Sequence, residues 1–119
     1  MNNKITGKLG EELAQNYLKN KGYKILESNY RFSKISEIDI IALKDKIIHF
    51  IEVKTRKNVN YGLPQEAITA KKLASIHTCA KYYLSQTKVQ YNKIQIDAVA
   101  ILIDKDNNCN ITFIENIEI

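Results

Sequence analysis

Two β-branched runs, 36–44 and 47–55, stand only two residues apart, and this constrains the chain more than any other feature. So short a connection, Asp45-Lys46, between runs of this composition predicts an antiparallel hairpin. With the turn centred on Asp45-Lys46, Asp39 faces Glu52 and Glu37 faces Lys54. Because side chains alternate with period two, these four share a face with Ile41, Leu43, Ile48 and Phe50. The other face carries Ile38, Ile40, Ala42, His49, Ile51 and Val53. Both faces are mainly apolar, which is the pattern of strands covered on both sides. Asp39 and Glu52 are therefore expected in or beside a core, an expensive place for two acids.

Directly opposed residues have Cβ atoms ~4.5–5.5 Å apart, so two unscreened carboxylates would repel and drive one pKa upward. Lys54 supplies one positive charge along the same face, and a divalent cation between the acids would supply two more. An all-oxygen ligand set favours Mg²⁺ or Mn²⁺. Helical periodicity over residues 7–21 adds Glu11, which falls on the border of an apolar stripe formed by Leu9, Leu13, Ala14, Tyr17 and Leu18, whereas Glu12 points away. Two alternatives stay open for this cluster: a buried ion-pair network, and an exposed hairpin end with solvated charges. Glu37 fits a supporting role as the neutraliser of Lys54.

Around the hairpin the coarse order is α-β-β-β-α-β-β. A first helix stops at Gly22, a first strand runs Lys24–Arg31, and Asn58–Gly62 is a loop. A second helix after Pro64 places Leu73, Ile76, His77, Ala80, Tyr83 and Leu84 on one face. Two strands follow, 93–104 and 110–119. The expectation is a mixed central β-sheet flanked by helices in one α/β (α+β) domain covering 1–119. At 119 residues, with 45% hydrophobic and 26% charged residues, one Pro and four Gly, such a core needs neither disulfides nor structural metal. Cys79 and Cys109 have no metal-ligand spacing and read as reduced thiols. The longest apolar stretch, Ala98–Ile103, falls far short of the ~20 residues of a membrane span, and the start shows no secretory pattern. A cytoplasmic protein with no membrane partner is expected.

A net charge of +5 suits a polyanion without demanding one. The two arginines are more specific: Arg31 and Arg56 flank the carboxylate hairpin, and arginine's fork suits phosphate. With Lys57, Lys71 and Lys72 they could line a groove for a phosphodiester backbone, a solvated lysine face being the alternative. His49 and His77 are explained by core packing, Tyr82 and Tyr83 by helix packing. Tyr61 and Gln65 flank a loop that could approach substrate, with Tyr61 available for base stacking.

Asp39, then twelve residues, then Glu52-Val53-Lys54 resembles the D…(E/D)-x-K motif of the PD-(D/E)XK nuclease superfamily, of restriction-endonuclease-like fold. A wider set joins it: Gly7, Gly10-Glu11, Ala14, Tyr17-Leu18, Gly22-Tyr23, Asn29-Tyr30-Arg31, Glu37-Ile38-Asp39, Phe50 through Arg56, Gly62, Glu66 through Thr69, and Lys72. Together these resemble the YraN-like family of uncharacterised bacterial proteins over nearly the whole chain. The resemblance implies nucleic acid as substrate, DNA and branched DNA included, and an Mg²⁺- or Mn²⁺-dependent endonuclease. Its metal ligands map onto Asp39 and Glu52, with the Val53 carbonyl by analogy. Glu11 matches the first-helix glutamate of related Holliday-junction resolvases, and Lys54 the motif lysine. The chain departs from the family at Ser36, where glycine is usual, and at Gln95-Ile96-Asp97, where Arg-Phe-Asp is common; the first stiffens the approach to the site and the second removes a positive charge. A non-catalytic nucleic-acid-binding domain of the same fold is the alternative. A homodimer is attractive because cutting both strands of a symmetric junction needs two sites.

Overall fold

A computed structural model describes residues 3–57 and 62–117. The chain forms a helix α1 (Asn3–Asn20), strands β1 (Lys24–Arg31), β2 (Glu37–Lys44) and β3 (Ile47–Arg56), a 3₁₀ turn (Pro64–Ala67), a helix α2 (Ala70–Gln86), and strands β4 (Lys93–Ile103) and β5 (Cys109–Ile114). This is the expected α-β-β-β-α-β-β order. The five strands make one mixed sheet in the order β1-β2-β3-β4-β5. Only β3 and β4 run parallel; the other neighbours are antiparallel.

The hairpin turn is tight because Asp45 (φ 52) and Lys46 (φ 62) both take the left-handed region, the geometry that matches the twist of two-residue hairpins. That turn sets the register from Lys44–Ile47 to Ile40–Ile51. β3 lies at the centre, and both it and its parallel neighbour β4 are buried on both faces. One face is covered by α1 through Ala14 and Leu18, which meet Ile40, Ala42, Ile51, Val53, Val99 and Ile101. The other is covered by α2 through Leu73, Ile76, Cys79, Ala80 and Tyr83, against Ile38, Ile41, Ile48 and Phe50. The connection from β3 to β4 must cross the sheet because the two are parallel, and α2 is that crossover.

Several element ends differ from expectation. α1 starts four residues earlier than the periodicity suggested. The segment after Pro64 is divided: a 3₁₀ turn comes first, and α2 begins only after Thr69, whose Oγ1 accepts the Lys72 N–H at 3.2 Å as an N-cap. β5 ends at Ile114 rather than running on. On α2, Leu73, Ile76, Ala80 and Tyr83 are buried as expected, but His77 and Tyr82 face outward. The Asn58–Tyr61 stretch, including the stacking candidate Tyr61, lies outside the described residues.

Candidate functional site

β2 and β3 part company where the acids begin. The ladder stops at Ile40–Ile51, so the Asp39–Glu52 and Glu37–Lys54 rungs expected from the turn do not form. Ile38 joins the α2-side core whereas Ile40 joins the α1-side core, although strict alternation would put them together. The slip falls on Asp39. Its carboxylate turns toward β3, and Oδ2 accepts the Val53 N–H at 2.8 Å, so a side chain replaces the missing ladder bond.

From there Asp39 meets Glu52, which stands on β3 with 2% of its surface exposed. The two carboxyls hydrogen-bond each other, which requires a shared proton. Asp39 is pushed up to about 8, first by burial, then by that hydrogen bond and by the charge of Glu52; the Val53 N–H and Lys72 pull the other way. The acids therefore converge and do not splay to opposite sides of the sheet.

Glu11 reaches the same point from α1. Its carboxyl is held above the usual range by burial, then by the charge of Asp39, while a hydrogen bond with Asn29 works against this and Glu37 adds to it. Gly10 makes the approach close: a Cβ there would lie 1.9 Å from Thr55 Oγ1, so only glycine lets α1 press this near to β3. Asn29, at φ 52, takes a left-handed conformation that asparagine tolerates.

The positive charges are arranged differently from the sequence expectation. Lys72, in the first turn of α2, places Nζ 3.2 Å from Glu52 Oε2. The contact lacks hydrogen-bond geometry, so Glu52 Oε2 is a buried carboxylate oxygen without a hydrogen-bond partner. Lys72 thus sits at the acid pair itself, a placement that sequence reasoning missed because twenty residues separate it from Glu52. Thr69, an N-cap type just before the helical run, is the signal that could have placed it in a first turn. Lys54 is half-buried two positions beyond Glu52. Glu37 is salt-bridged to the largely exposed Arg31 at 3.2 Å, not to Lys54. Arg56 is half-buried with Nε lacking a hydrogen-bond partner, and Lys57 is exposed.

A second polar cluster lies toward the opposite end of β3, on the α1 side. His49 Nδ1 is 2.5 Å from Asp97 Oδ2, and Asp97 Oδ1 accepts from Gln95 Nε2 (3.0 Å) and from the Asn116 N–H (2.9 Å). Gln95 Nε2 also donates to Glu115 Oε1 at 2.9 Å. Tyr23 lies edge-on to His49, its hydroxyl pushed up to about 12 by burial and then by Glu115 and Asp97. His49, Asp97 and Glu115 are close enough to share an ion, their candidate ligand atoms all falling within 4.8 Å. Both Asp97 oxygens are already engaged, however, and the network reads as a latch holding the end of the chain onto β4. The departure at Gln95 therefore falls inside this latch, not beside Asp39.

The fold and site together define a small mixed α/β protein with a convergent, partly unsatisfied carboxylate cluster at a strand splay. The family model of UPF0102, an uncharacterised protein family, matches residues 10–101, and the chain belongs to that family, the YraN-like family of the sequence reading. Similar relatives are UPF0102 proteins of Dictyoglomus thermophilum (43% identical over 105 residues, 88% of each chain) and Caldicellulosiruptor bescii (46% over 112 residues, 91% of each). A third, from Clostridioides difficile, is 45% identical over 109 residues, covering 91% of this chain and 95% of the relative. Among the described residues no helix is long and apolar enough to cross a membrane.

Proposed function

We propose that this protein is a metal-dependent nuclease that hydrolyses phosphodiester bonds of nucleic acid, with DNA as the substrate. The observation that carries the reading is Glu52 Oε2, a buried carboxylate oxygen with no hydrogen-bond partner, beside an Asp39 carboxyl that keeps its proton because it is buried and because Glu52 is pressed against it. Burying two acids side by side costs desolvation energy that Lys72, 3.2 Å from Glu52, offsets only in part, and a hard divalent cation between the oxygens would offset more of it.

The donor set fits Mg²⁺ or Mn²⁺: oxygens only, from the carboxyls of Asp39 and Glu52 and by analogy the Val53 carbonyl, with the nearby Glu11 as a further acid at the same point. When bound, the ion supplies a Lewis acid for the scissile phosphate and lowers the pKa of a water. Asp39 and Glu52 orient their oxygens from adjacent strands, the former pinned by the Val53 N–H. Lys54 orients the attacking water and stabilises charge on the phosphate oxygens. Glu11 accepts a proton or reaches the site through water. Lys72, released from Glu52 once its charge is neutralised otherwise, becomes a phosphate contact together with Arg31, Arg56 and Lys57.

The Lys72–Glu52 contact favours one alternative, a nucleic-acid-binding domain in which the lysine permanently occupies the place of the cation. Cleavage of a branched and single-stranded DNA panel with Mg²⁺ or Mn²⁺ separates the two. Cutting is expected, slower by roughly 100-fold or more in Asp39→Ala and Lys54→Ala. Mn²⁺ uptake by isothermal titration is expected in the wild type and not in Glu52→Ala. Variants that cut as fast as the wild type dismiss these residues, and DNA binding with no metal uptake selects the binding domain.

A further inference from the structure

Between the end of β1 and α2, beyond Arg31 and Lys72, lies a surface of aromatic residues that has no part in the reading above, yet it is built. Phe32 and Tyr82 lie against each other with ring centroids 4.6 Å apart and planes tilted by 41°. They remain 47% and 39% exposed, and Ile35 beside them is 85% exposed. The loop that carries Phe32 and Ile35 is tied down: the Phe32 N–H donates to the Ser36 carbonyl at 3.0 Å, and Ser75 Oγ donates to the Ile35 carbonyl at 2.9 Å. Large apolar side chains held in water by a fixed loop mark a contact surface.

Its charge says what kind of contact. α2 contains Lys71, Lys72 and Lys81 and no acidic residue, and the stretch from Arg31 to Ser36 holds Arg31 and Lys34 and again no acid. The acids at its margin are Glu27 and Glu37, and Arg31 already engages Glu37. The strip is also continuous with the carboxylate site. Lys72 touches Glu52, Ser75 and Ile35 meet one turn further on, and Tyr82 follows ten residues beyond Lys72, ~15 Å along the helix axis.

We propose that Phe32 and Tyr82 form a stacking platform for an unpaired base, flanked by Arg31, Lys34 and Lys81 as phosphate contacts. The preferred nucleic acid is thus single-stranded, or carries an unpaired arm beside the cut. Bases in an intact duplex are stacked on each other and offer no free face, whereas every unpaired base has one. That this strand is also cleaved rests on the nuclease reading; that it is bound does not.

The test uses the metal-free full chain at ~0.15 M salt. Fluorescence anisotropy compares an oligo-thymidylate bearing a single 2-aminopurine with a blunt duplex of equal length. The single strand is expected to bind at least about tenfold tighter, with quenching of the 2-aminopurine on stacking. Phe32→Ala and Tyr82→Ala should each weaken single-strand binding about 5- to 100-fold and duplex binding by less than about twofold, and Phe32→Tyr should restore the wild-type value. Circular dichroism checks that each variant folds. A duplex bound as tightly as the single strand, no measurable single-strand binding, or alanine variants that match the wild type overturn the proposal. Equal loss on both nucleic acids does the same, because it makes the pair a mere support for the loop. Failure of the nuclease reading is read separately. Stacking and discrimination without cleavage under any metal leave the platform standing alone, and blunt-duplex cleavage undiminished in Phe32→Ala leaves the nuclease without the platform.

Discussion

At Asp39 a short polar side chain takes over a rung of the sheet, and its protonation is tied to folding. Burial and Glu52 raise its pKa from 3.8 to about 8. The folded carboxyl therefore holds its proton more tightly than the unfolded one, so the contribution of Asp39 to metal-free stability is fully present below about pH 4 and is lost as pH rises through about 8. Asp39→Asn keeps an oxygen for the Val53 N–H and removes the charge. Without metal, urea unfolding should show this variant more stable than the wild type by ~1–2 kcal/mol at about pH 9, allowing for partial water screening, with the difference gone near pH 4. A wild type that is the more stable at the higher pH would mean the acids do not repel. Lys72 works in the opposite sense: Lys72→Ala removes a cation 3.2 Å from a buried carboxylate. At neutral pH this should lower metal-free stability by roughly 1–3 kcal/mol, with Mn²⁺ restoring most of it. That Asp39 and Glu52 lie close was legible from the two-residue turn, but the way they meet was not: the expected rung is absent, and Asp39 reaches Glu52 by leaving the ladder and accepting the Val53 N–H. Nor was the role of Lys72 legible, because it depends on how a helix twenty residues away folds back over the strand.

At the scale of elements, the contact of α1 with β3 decides whether Glu11 belongs to the site. Helix propensity alone makes Gly10→Ala stabilising by about 1 kcal/mol. The close approach to Thr55 reverses the sign, since a methyl group 1.9 Å from Oγ1 forces α1 away. Thermal unfolding should therefore show Gly10→Ala destabilised by ~1–3 kcal/mol, partly relieved by Thr55→Ala in a double-mutant cycle. A stabilised Gly10→Ala would refute the tight packing. The apolar stripes of both helices were readable from sequence, as was the border position of Glu11. The outward turn of Tyr82 was not, because a tyrosine next to a buried tyrosine fits a packed face equally well until the loop carrying Phe32 is placed beside it. His49 illustrates the same limit: its burial was expected, but its partner Asp97 comes from a strand forty-eight residues on, joined only by the parallel pairing of β3 with β4.

For the whole molecule, the carboxylate cluster links metal binding to folding. A cation that binds the folded chain and not the unfolded one stabilises by about 2.7 kcal/mol at a hundredfold excess over its dissociation constant. Mn²⁺ or Mg²⁺ should raise the melting temperature of the wild type by roughly 5 °C or more, and chelator should reverse the shift. Glu52→Gln should show little of it. A wild type indifferent to both ions would remove the cluster as a metal site. The hairpin, the order of elements, the two apolar helix faces and the acid pair were determined by the sequence itself, because turn geometry, alternation and helical periodicity act between near neighbours. Only the tertiary structure decided that Asp39 leaves the ladder, that Glu11 and Lys72 converge on it from opposite faces, and that two aromatic rings stay in water. Those outcomes depend on desolvation and charge at points where distant segments meet, and such energies exist only once the sheet has brought the segments together.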